Sequence, residues 1–154
     1  MSISKEKGLT SDGIATEDWD RVHELTLRIG GAPLANVDAT ADEVATQRLL
    51  AVLDELEAKY GARPSILATR GHYAETDEDR EYWLLAAYQA AERMGDQQNL
   101  MLTASALASL YVEDLEDKTR GAEWLLKLEG HLREHPDPFE EEELSRLLEA
   151  LDTL

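Results

Sequence analysis

The chain of 154 residues contains no cysteine. That absence excludes disulfides, thiolate zinc sites, iron–sulfur clusters and cysteine nucleophiles together. Basic residues are scarce: 15 lysines and arginines face 33 acidic residues, for a net charge of −18. Such a field repels nucleic acid and anionic lipid and attracts a basic protein, so the expected partner is another protein, basic in character, with no direct nucleic acid and no membrane. No apolar run approaches the roughly 18 residues of a membrane span. The opening MSISKEKGLTSDG has no apolar core and does not read as a signal peptide, which makes the cytoplasm the expected compartment. Also missing are a G-x-S-x-G elbow, a phosphate loop and a dinucleotide fingerprint, so no catalytic residue and no cofactor is expected.

What is present is helical patterning. Residues 1–13 are polar and read as a flexible N-terminal tail, leaving residues 14–154 as one helical domain. Thr16 opens a first helix with Trp19, Val22, Leu25 and Ile29 on one stripe, ended by Gly30-Gly31, and a proline-containing connection comes next. Thr40-Ala41-Asp42-Glu43 is a capping-box pattern before a helix running to Tyr60, with Val44, Leu49, Leu50, Leu53 and Leu56 inward. Pro64 suits the first turn of a third helix, running to about Ala74. A fourth helix extends from Thr76 or Asp77 to Gly95, and its run from Tyr82 to Tyr88 is apolar nearly all round, as in a helix with neighbours on both sides. Asp96 and Asp117 cap a fifth and a sixth helix, and Asp137-Pro138-Phe139-Glu140 starts a seventh, with Glu140 to Glu143 as a wet outer face. Nothing reads as a strand.

The hairpin from Pro64 to Asp96 recurs about 40 residues later. Ser65, Leu67, Ala68, Asp77, Arg80, Leu85 and Arg93 meet Ser105, Leu107, Ala108, Asp117, Arg120, Leu125 and Arg133. Ser145 and Leu147 begin a third, unfinished copy. A repeat of this length in helical sequence marks stacked helical hairpins. The Leu-small pairs Leu67-Ala68 and Leu107-Ala108, with the large residues Leu84 and Trp124 about 16 residues beyond, resemble the tetratricopeptide-type repeat, though the period exceeds that family's 34 residues and Arg80 and Arg120 stand where it places a small residue. The resemblance implies an all-α solenoid of stacked antiparallel hairpins, about seven helices, with a concave protein- or peptide-binding face.

Two acidic turns occupy equivalent repeat positions. One holds Glu75, Asp77, Glu78 and Asp79; the other holds Glu113, Asp114, Glu116 and Asp117. In a stack they fall on one edge, where they can bind a partner rich in lysine and arginine. Capping and the helix dipole also favour carboxylates there, and Arg80 and Arg120, three residues after Asp77 and Asp117, can pair with them. Tyr82 and Trp83 are adjacent and cannot share a helical face, so one of them is a candidate exposed anchor. Asp77, Asp79 and Glu81 have the start of a calcium-loop spacing, but Tyr82 stands where that loop needs glycine. His131-Leu132-Arg133-Glu134-His135 matches the H-x-x-E-H pattern of some zinc peptidases, although Pro136 disfavours helix at His135 and histidines at a helix end also suit its carbonyls. Three functions stand as expectations. The first is a non-enzymatic acidic inhibitor of a basic toxin or nuclease, of the immunity or antitoxin type. The others are a chaperone or assembly adaptor holding a peptide in a groove, and a metal-dependent enzyme built on His131–His135.

Overall fold

The computed structural model describes residues 8–31 and 39–154, with side chains at 8–29 and 43–154. Seven α-helices occupy these residues: α1 (Thr16–Gly31), α2 (Ala39–Tyr60), α3 (Pro64–His72), α4 (Asp77–Met94), α5 (Gln97–Ser109), α6 (Lys118–Glu134) and α7 (Pro138–Asp152). A π turn, Leu110–Asp114, prolongs α5. No strand occurs among the described residues; Leu9 and Ala15 form one isolated bridge. The connection between α1 and α2, the Thr40 cap and residues 1–7 lie outside the described residues or side chains.

Local chemistry places the helix starts where the caps stand. The side chains of Thr76, Asp96, Asp117 and Asp137 each accept a hydrogen bond from the backbone N–H three residues on, at 3.0–3.2 Å. These bonds satisfy donors that the first helical turn leaves free. Gly95 ends α4 at φ +67°, a left-handed geometry that glycine adopts without steric cost. Helix α3 stops at His72, two residues short of the expected end.

Consecutive helices pack as antiparallel pairs: α1 with α2, α3 with α4, α5 with α6, and α7 closing on α5 and α6. Leu107 and Leu147, one repeat apart, are fully buried in a cluster shared by α4 to α7. Ala104 and Ala108 are also fully buried, so the small residues of α5 admit a neighbouring helix closely. A second cluster joins Ile14, Val22, Leu49, Leu53, Leu56 and Ile66. Leu67, the next residue on α3, belongs to a third cluster with Ala87 and Ala90. Neighbours in a helix point about 100° apart, so α3 serves two cores at once.

Several sequence expectations are corrected. Val44 and Leu50 face outward on α2, because the buried positions there are Leu49, Leu53 and Leu56. Residues 8–13 do not continue a tail. The N–H of Thr16 donates to the carbonyl of Gly8 and that of Thr10 to the carbonyl of Ile14, closing a compact turn with Gly13 at φ +85°. Asp12 in that turn is fully buried and accepts from the N–H of Ser65 at 2.8 Å and from its hydroxyl at 2.5 Å. Helix α3 has no cap of its own from Arg63, so a residue 53 positions away supplies it.

Candidate functional site

The two acidic turns stand side by side. Arg80 lies 3.9 Å from Asp77 in its own turn and 3.6 Å from Asp114 in the other. Arg120 lies 3.7 Å from Asp117 in its own turn and 2.9 Å from Glu81 across the gap. Each arginine therefore cross-braces its neighbour's carboxylate. The Tyr111 hydroxyl also donates to Glu81, and burial together with that carboxylate pushes the phenol well up. Glu113 accepts a two-pronged bond from Arg146 of α7 at 2.7 and 3.0 Å, which holds its carboxyl below the usual range. Exposed ion pairs of this kind contribute about 0–1 kcal/mol each, so the bracing aligns the helices more than it stabilises them.

The predicted edge residues thus divide. Asp77, Asp114, Asp117 and Glu113 are committed to arginines within the fold. Glu75, Glu78, Asp79 and Glu116 are not buried and enter no ion pair among the described residues. Tyr82 is the outward member of the aromatic pair, 65% exposed, with its ring edge-to-face on Trp83 at 5.1 Å. Trp83 is partly covered against α3, where the Arg70 guanidinium sits 5.5 Å from its ring centre. Asp77 and Asp79 lie in the first turn of α4 and Glu81 is engaged by Tyr111 and Arg120, so the calcium-loop spacing is a regular helix.

A second feature was not legible as a site. A groove of about 1230 Å³ runs along the first helices of the hairpins, from Leu9 and Trp19 past α3 and α5 to α7. Its wall is mixed. Leu9, Leu102 and Phe139 are 52%, 42% and 73% exposed. Between them lie Ser65, Asn99, Thr103, Ser105 and Glu140. The capping motif predicts Glu140 on a wet face. Instead it is only 6% exposed, and its Oε2 has no hydrogen-bond partner among the described residues. Burial, aided by the negative charges of Asp137 and Glu143, pushes this carboxyl up. Nothing in the local pattern announces it, because α7 packs on α5, which comes much earlier in the chain.

At the far end of α6 the histidines separate. His131 Nε2 shares a 2.8 Å hydrogen bond with the Tyr88 hydroxyl, and burial lowers its pKa. His135 is exposed at the helix end, with φ −133° and ψ 79°. The non-helical backbone before Pro136 takes it off the His131 face. No group of three or more potential metal ligands converges among the described residues. No helix among them is long and apolar enough to cross a membrane.

The chain matches no family model, and no curated protein or solved structure matches it.

Proposed function

We propose that the protein is a non-catalytic, tetratricopeptide-like binding module for a basic protein. The observation that carries this reading is the groove, whose wall exposes Leu9, Leu102 and Phe139 beside carboxylates. Large exposed apolar side chains grouped in a concavity are the ordinary setting of a recognition surface. The charge of −18 supplies long-range attraction, and burial of the apolar contacts supplies residence time. An acidic inhibitor of a basic toxin or nuclease has this form; so does an adaptor that holds a basic peptide. The groove favours the adaptor's mode of contact, because half of the predicted edge carboxylates are tied to internal arginines.

Stopped-flow association with the partner isolated from the native source tests the reading. Raising salt should slow association steeply and leave dissociation nearly constant. A neutral or acidic partner that binds equally fast in high salt would refute it.

A further inference from the structure

The Glu140 carboxyl is the most informative side chain on the groove wall. It is more than nine-tenths buried, yet one of its oxygens has no hydrogen-bond partner among the described residues. A buried acceptor without a partner is destabilising, more so when charged, so a fold keeps one where something else offsets it. The second such orphan among the described residues, Nε of Arg80, is on the same groove wall. Glu140 and Arg80 both line the groove, and a carboxylate and a guanidinium there are the complement of a polypeptide bearing a cation and backbone carbonyls.

The apolar surroundings sharpen the occupant. Phe139 adjoins Glu140 in the chain, and Leu102 and Ser105, one helical turn apart on α5, line the same groove. An acidic pocket is therefore flanked by two exposed apolar side chains. The volume, about 1230 Å³ along several helices, exceeds the roughly 300–1,000 Å³ of small-molecule sites and suits an extended chain. Resting on the binding-module reading, we infer that the groove takes an extended peptide segment in which a lysine or arginine reaches Glu140 and its apolar neighbours cover Leu102 and Phe139. The cation would pair with the Glu140 carboxylate, and the Arg80 guanidinium would donate to a carbonyl of the same segment.

A blocked short peptide alternating leucine and lysine, titrated into the isotopically labelled full chain, tests this directly. Amide shifts should centre on Leu102, Ser105, Phe139 and Glu140. Glu140→Gln should weaken binding about thirtyfold, the low end for truncating one member of a buried charge pair. Glu149→Gln, an equal charge change on an exposed face of α7, should leave affinity unchanged. Phe139→Ala alters an exposed side chain that the core does not need, so its expected loss of affinity stands even if Glu140→Gln folds poorly. Equal binding of a peptide with norleucine in place of lysine would overturn the inference. Shifts confined to Glu75–Asp79 and Glu116, with Glu140→Gln unaffected, would overturn the groove while leaving a basic partner on the edge. No shift at all would also overturn it, while the salt dependence of the native partner still judges the binding-module reading separately.

Discussion

Around the first hairpin and α3 a small apolar cluster is surrounded by many long-range polar bonds, whereas α5, α6 and α7 meet mainly through a larger apolar cluster. At the first, Asp12 caps α3; beside it, Tyr60 and Lys59 donate to Asp18 within the first hairpin, and the Ser11 hydroxyl donates to Asp96 and accepts from Asn99 at the start of α5. Arg70 spans from α3 to Asp54 and Glu57 of α2. At the second, Leu107, Leu128 and Leu147 are fully buried, and Gly121 lets the π turn lie directly against α6. Polar bonds fix orientation but return only about 0.5–1.5 kcal/mol each net of lost water; apolar burial is proportional to area and non-directional. Polar bonds therefore fix orientation at the first junction beside its own small core, and the larger cluster at the second supplies more cohesion.

Breaking the apolar side should cost most. Leu107→Ala empties a site shared by four helices and should lose about 3–4 kcal/mol in urea unfolding. A loss under about 1 kcal/mol would show that the C-terminal cluster collapses freely around the void. Asp12→Ala should cost about 2 kcal/mol, because it strands the N–H and hydroxyl of Ser65. Its signature is local: hydrogen exchange should quicken in α1 and α2 and hold steady in α5 to α7. Uniform acceleration throughout would erase the distinction between the two junctions. Gly121→Ala comes next, at about 1–2 kcal/mol, since a Cβ would sit 2.8 Å from Val112 Cγ2 and 3.3 Å from Leu151 Cδ1. An unchanged melting temperature would mean that the π turn yields easily.

The smallest effect is the pH response of the Tyr88–His131 contact. Burial lowers the folded pKa of His131 from its ordinary 6.5, so as pH falls the unfolded chain takes up that proton first. Stability from this site is intact above 6.5 and declines as pH drops through that value toward the lowered one. His131→Asn should flatten this part of the stability profile; an unchanged slope would assign the dependence to other groups.

Features fixed within a few residues were readable in the sequence. Asp96, Asp117 and Asp137 cap helices in place, and Leu67, Leu107 and Leu147 are buried at equal spacing, because caps and stripes act over one or two turns. Features that depend on distant chain escaped. Asp12 looked like loop chemistry, yet its partner is 53 residues on. Val44 and Leu50 carried the right side chains for a core, but only one stripe of α2 meets neighbours. The repeat placed the acidic turns side by side, while the exchange of arginines between them required the stacking geometry. Glu140 was hidden most thoroughly: its sequence context is that of a solvated helix start, and only the approach of α5 buries it.

The π turn bears on how such a chain changes length over generations. Its Leu115 N–H reaches back five residues to the carbonyl of Leu110, at 2.9 Å, so one amino acid more than an α-helix requires is lodged there. Removing that residue would restore a regular helix but rotate the chain beyond it by about 100°. Glu113 and Asp114 would leave Arg146 and Arg80 in a single step. The extra residue thus sets the phase in which Arg80 and Arg146 meet their carboxylates.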